Sequence, residues 1–217
     1  AEQLIEGIQR YKLDRACTLA ASGIFLDARV GNAATLAACR RDPHLVPIGT
    51  ADPRIDGVAQ VRACTDNGFK LMALFPESQG WSLDSLVARD VLRAIAASGM
   101  TLIIEATRDG AASHILRSLG DAPTPLVLLD INLHLLSEAM AVLRARPATY
   151  LTTRLLSGGD TIEYLAQTVG ADRLVFSSRF PVSCFSSAFL TAKFALIDDA
   201  DRGAIMGNNM ARLLGLA

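Results

Sequence analysis

Residues 83–105 read LDSLVARDVLRAIAASGMTLIIE, and this stretch holds the unit from which the whole chain is built. Ala88, Val91, Leu92 and Ile95 recur at steps of three and four, the period of a helix with one apolar face. Gly99 then closes that helix, as a glycine able to take a left-handed backbone does. The apolar run 101–105 follows at once, with the length and β-branched content of a strand covered on both sides.

The same alternation extends in both directions. Apolar runs at 16–20, 45–50, 69–74, 101–105, 125–130, 149–152 and 173–177 lie roughly 25 residues apart, the spacing of βα units. Helical patterns at 32–41, 55–67, 83–98, 111–119, 134–144 and 160–169 separate them, and Gly68, Gly99, Gly120 and Gly170 mark helix ends. Seven strands alternating with helices fit an open doubly wound sheet or a closed (β/α)8 barrel. No GxGxxG or GxxxxGK[ST] motif follows any run, so a dinucleotide or P-loop phosphate site has no support.

The chain has 217 residues, 51% of them hydrophobic and 20% charged, which suits one domain over residues 1–217. With 21 basic against 22 acidic residues the net charge is -1, so neither nucleic acid nor an anionic membrane is an expected partner. No apolar stretch approaches the ~20 residues of a spanning helix. The start resembles an amphipathic helix and not a secretory signal. Cys17, Cys39, Cys64 and Cys184 show no paired CxxC spacing, against a structural zinc site or a disulfide framework. The expected location is the reducing cytoplasm.

In a barrel the chemistry sits at the C-terminal ends of the strands. Lys70 lies in the third run, Glu105 ends the fourth, Asp130 ends the fifth, and Arg154 and Arg179 lie just beyond the sixth and seventh. Five ionisable side chains brought together there must pair, because isolated buried charge is costly. They form either a neutralising network or a site for an anion, in which Glu105 or Asp130 moves a proton while Lys70, Arg154 or Arg179 stabilises negative charge. Of the three histidines only His134, four residues past Asp130, is near a strand end, whereas His44 and His114 read as a loop and a helix residue. Ser177 and Ser178 lack a partner base. Trp81, in the loop after the third run, either contacts a ligand or packs its own loop.

The segments GADRLVFSSRFP at 170–181 and IMGNNMARLLGL at 205–216 resemble the end of amidohydrolase-related proteins, the metal-dependent hydrolase and decarboxylase branch of the amidohydrolase superfamily. The family pattern there is G-[AS]-[DE]-R-[LIV]-[LIV]-[FWY]-[GA]-S-D-x-P, then a helix of the form N-A-x-R-L-[LF]-G-L. VPIGTADP at 46–53 and GFKLMALFP at 68–76 look like its third and fourth strands, so the resemblance covers nearly the whole chain. It implies a (β/α)8 TIM-barrel-like fold whose first strand, the bearer of the family's HxH pair, is missing or incomplete here.

The departures concern the metal. The family's aspartate in GSDxP falls on Arg179, and the strand-end histidines fall approximately on Glu105 and Asp130. A guanidinium repels a metal ion beside it, and imidazole ligands are lacking for zinc. The expectation is therefore a degenerate or metal-free relative with no cofactor that binds a small anionic ligand. Its catalytic candidates are Glu105, Asp130 and Arg179, and its substrate-binding candidates Lys70, Arg154, His134 and Trp81. The alternative is an active hydrolase or decarboxylase of a small carboxylated or lactone-like substrate, with one divalent metal such as magnesium held by carboxylates. The resemblance also implies a homodimer, for which the apolar residues 188–197 offer a surface.

Overall fold

The computed structural model describes residues 2–216. Their contacts divide them into two compact units, one running up to residue 104 and including 118–124, the other made of 105–117 and the described residues from 125 onward. The first unit carries α1 (Glu2–Tyr11), β1 (Ala16–Thr18), α2 (Ser22–Phe25), α3 (Ala28–Arg41), β2 (Leu45–Thr50), α4 (Gly57–Asp66), β3 (Leu71–Leu74), α5 (Pro76–Gln79), α6 (Leu86–Ser98) and β4 (Thr101–Glu105), whose last residue belongs to the second unit. The second carries most of α7 (Ala111–Leu119), then β5 (Leu126–Leu129), α8 (Leu136–Ala145), β6 (Thr149–Thr152), α9 (Thr161–Val169), β7 (Leu174–Val175), α10 (Phe185–Phe194), α11 (Asp199–Gly203) and α12 (Asn209–Leu213).

In the first unit β1, β2, β3 and β4 pair side by side and parallel, with Ala16 opposite Leu45, Ile48 opposite Leu71 and Leu71 opposite Thr101. Parallel neighbours demand crossover helices, and the alternating sequence supplies them. The helix α6 shows the logic. The Ser85 hydroxyl accepts from the Ala88 N–H at 3.2 Å, Ala88, Val91, Leu92 and Ile95 are buried, and Gly99 ends the helix at φ 71°. Gly68, Gly120 and Gly170 also have positive φ, at 77°, 52° and 96°. The first turns of α3 were not legible in the apolar pattern. That helix begins at Ala28, because the Asp27 carboxylate accepts from the N–H groups of Arg29 and Val30.

In the second unit β5, β6 and β7 are parallel neighbours, with Leu126 opposite Thr149 and Leu151 opposite Leu174. The Ala106 N–H donates to the Leu129 carbonyl at 3.1 Å, which sets the end of β4 beside the end of β5. Asn209, in the segment that resembles the family's closing helix, is buried and donates through Nδ2 to the carbonyls of Ala171 at 2.8 Å and Leu174 at 2.7 Å. This one amide ties α12 to the start of β7. Asn209→Ala removes a donor from both carbonyls, of which Ala171's keeps the Leu174 N–H, and should cost about 1–3 kcal/mol, read as a lower urea midpoint at unchanged slope.

Candidate functional site

The C-terminal ends of β5, β6 and β7 bring three of the expected side chains together. Asp130 directly follows β5 and is 2% exposed; its Oδ1 accepts from Arg154 Nε and its Oδ2 from Arg179 Nη1, each at 2.7 Å. Arg154 follows β6 by two residues, and its Nη1 also reaches Ser183 Oγ at 3.4 Å. Arg179 lies in the loop after β7. Two guanidiniums and one carboxylate leave this cluster at +1 (two positive, one negative). Burial of such a group is sustained only by the pairing seen here. The arginine side chains keep 16% and 32% exposure, and a guanidinium carries five N–H donors, so each has donors beyond those spent on Asp130.

The backbone is part of the arrangement. Asp130 has φ 65° and Arg179 φ 52°, left-handed values that are uncommon outside glycine and more tolerable for Asp than for Arg. The Asp130 N–H donates to Thr152 Oγ1 at 3.2 Å, and that hydroxyl donates to the Leu128 carbonyl at 3.3 Å. Thr152 and Ser183 escape a reading of the sequence, since nothing in their spacing marks a hydroxyl in a strand or loop as the support of a charged group.

The other expected residues are placed differently. Glu105 ends β4 and is buried at the strand end next to β5. His134 stands in a single 3-10 turn, Leu133–Leu135, with its side chain exposed. Lys70 departs from its expected place. It precedes β3 and is exposed, and its carbonyl accepts from the Thr101 N–H at the start of β4. The apolar run 69–74 includes two residues that are not strand, so Lys70 sits at the N-terminal end of β3, away from where strand-end chemistry occurs. Trp81 is buried and its indole N–H donates to Gln79 Oε1 at 2.9 Å, while Gln79 Nε2 donates to the Ile24 carbonyl at 3.1 Å. Its polar edge is thus engaged in holding its own loop.

A second buried carboxylate, Asp52, follows β2 and is bound by Arg54 through Nε at 3.0 Å and Nη2 at 2.7 Å. The Arg54 side-chain bonds hold its pKa below the ordinary value against the opposing effect of burial. The backbone N–H of Arg54 donates to it as well, so this carboxylate orders a turn. The thiols offer no nucleophile in the interior: burial pushes Cys17 and Cys64 up to about 12 and Cys39 up to about 11. Among the described residues no three His, Cys, Asp or Glu side chains converge to hold a metal ion, and no helix is long and apolar enough to cross a membrane.

Comparison with known proteins connects this geometry to a chemistry. The sequence profile described as Amidohydrolase matches residues 20–216. No curated protein sequence matches the chain. Among solved structures, 2,6-dihydroxybenzoate decarboxylase from Rhizobium superposes with a TM-score of 0.78 at 16% identity, over 99% of this chain and 88% of that one. The dihydroxybenzoic acid decarboxylase from Polaromonas sp. JS666, with manganese and the inhibitor 2-nitroresorcinol bound, gives 0.77 at 15% identity over 99% and 86% of the two chains. The 5-carboxyvanillate decarboxylase from Novosphingobium aromaticivorans, complexed with manganese and 4-hydroxy-3-methoxy-5-nitrobenzoic acid, also gives 0.77 at 15% identity, over 100% and 80%. The fold is α/β and TIM-barrel-like, which closes the choice left open by counting strands.

One expectation is corrected by these structures and another is weakened. The expectation of no cofactor is overturned by the manganese bound in decarboxylases of the same fold. The case against a metal rested on repulsion by Arg179 and on the lack of imidazole ligands; Asp130, bonded to Arg179 at 2.7 Å, offsets only part of that guanidinium's charge. The structural neighbours are decarboxylases, which favours the alternative over the picture of a degenerate binding barrel.

Proposed function

The chain belongs to the amidohydrolase family, and we propose that it decarboxylates a small aromatic carboxylic acid at the strand ends where Asp130, Arg154 and Arg179 meet. The observation that carries this reading is the excess of positive charge there: one carboxylate faces two guanidiniums, each bonded at 2.7 Å and each with donors to spare. Such a site attracts an organic anion and orients its oxygens. The type of reaction is supported by the decarboxylases that share the fold.

Decarboxylation breaks the bond between the ring carbon and the carboxylate. The electron pair stays on the ring carbon, carbon dioxide leaves as a neutral molecule, and a proton takes its place. Arg154 and Arg179 bind the acid through its oxygens and hold the ring in place, while the negative charge moves from those oxygens to the ring carbon as the bond breaks. Glu105, buried at the neighbouring strand end, relays a proton from water to the ring carbon. Asp130 has both oxygens on guanidiniums and is left out of the proton path.

A hard ion takes several oxygen or nitrogen ligands, whereas Asp130 spends both oxygens on arginine, and no set of three ligating side chains converges among the described residues. These side chains do not by themselves fit the ion.

The test is carbon dioxide release from 2,6-dihydroxybenzoate and from 5-carboxyvanillate, with manganese supplied in the assay. Turnover is expected in the wild type. Glu105→Gln should lower it by about 100-fold or more, the usual worth of a positioned proton donor, with binding of the acid retained. No release from either acid, in wild-type protein with manganese present, sinks the proposal.

A further inference from the structure

Resting on that reading of the site, we infer that Asp130 is a positioning residue, whose carboxylate sets Arg154 and Arg179 as a two-guanidinium cradle for the carboxylate of the substrate. The two arginines come from different loops, 24 and 49 residues beyond Asp130 in the chain, yet both end on this one side chain, each on its own oxygen at 2.7 Å. Long side chains from separate loops otherwise sample many rotamers, and a site that must present N–H groups in one plane needs them fixed in advance.

Asp130 is itself unusually well fixed. It is 2% exposed, its N–H is held by Thr152 Oγ1, and its backbone is left-handed, as is that of Arg179. Strained backbone at both ends of one ion pair persists only where the surroundings enforce it, and it gathers at functional sites. A network that merely neutralised charge would match acid to base. Here the single carboxylate of Asp130 meets both guanidiniums, and these three groups sum to +1.

The sign of one substitution separates positioning from simple attraction. Asp130→Asn keeps the shape but takes the cluster from +1 to +2, counted from the same three groups. If net charge governed binding, anions would then bind more tightly. If Asp130 positions the arginines, a carboxylate binds more weakly despite the added charge. Titration calorimetry with benzoate, and with benzamide as its neutral isostere, reads this directly at a temperature where thermal melting shows both proteins folded. We expect benzoate affinity to fall about tenfold in Asp130→Asn and the preference for benzoate over benzamide to narrow, with Asp130→Glu, which keeps the charge one methylene further out, in between.

Unchanged or tighter benzoate binding in Asp130→Asn overturns the inference, as does a wild-type protein that does not bind benzoate. Should Asp130→Asn fail to fold, Asp130→Glu decides: affinity equal to wild type overturns the inference and a loss supports it. Benzoate binding that depends on Asp130, in a protein that releases no carbon dioxide from the two aromatic acids, removes the decarboxylase reading and leaves the cradle standing.

Discussion

Arg179→Asp should abolish binding of aromatic carboxylates and lower the melting temperature. The change places a second carboxylate against Asp130, whose Oδ2 now accepts from Arg179 at 2.7 Å. The cluster goes from +1 to -1, with one guanidinium facing two carboxylates. Breaking a buried pair while leaving its partner charged costs roughly 3–5 kcal/mol. Arg179 retains 32% exposure, so water relieves part of the penalty and about 2–3 kcal/mol is the expected loss. Backbone strain works the other way, because Asp is more at ease than Arg at the φ of 52° found here. A fall in stability is therefore electrostatic in origin. Arg179→Asn, equally tolerant of the backbone but neutral, should destabilise less. Denaturant midpoints and benzoate titrations of the two variants measure both effects, and equal stability of Arg179→Asp and wild type would show that the pair carries little energy.

Gly31→Ala should be among the most damaging small substitutions in the first unit. A methyl group added to Gly31 would collide with the Cα and N of Gly23, backbone atoms that cannot rotate away. Gly31 is in α3 and Gly23 in α2, so the helices touch through their main chains. Replacing a helical glycine with alanine normally gains about 1 kcal/mol. Here the overlap should reverse the sign and cost about 3 kcal/mol, the upper range for overpacking. Gly207→Ala is the control, because a methyl group there meets nothing within 4 Å. A urea midpoint for Gly31→Ala at or above that of the wild type would mean that the two helices can separate without loss.

Much of the architecture was open to reading because its causes are local. The face of α6 follows from residues three and four apart, and the helix-ending glycines follow from the left-handed backbone that they adopt. Lys70 was misplaced and Trp81 was left between two readings, each for its own reason. An apolar run does not reveal which of its residues lie outside the strand, so Lys70 was set at the wrong end of β3. A lone indole does not reveal its hydrogen-bond partner, which is the nearby Gln79.

The sequence by itself determined the repeating βα units, the membership in a family, and the gathering of charged residues just after the strands, since periodicity, capping and motif spacing are properties of neighbours in the chain. Which of those charges pair was decided by the tertiary structure. Asp130 chooses Arg154 and Arg179, from 24 and 49 residues away, because β5, β6 and β7 lie side by side and two left-handed residues turn their side chains onto one another. An ion pair acts over a few ångströms, and only the fold sets distances between residues so far apart in the chain.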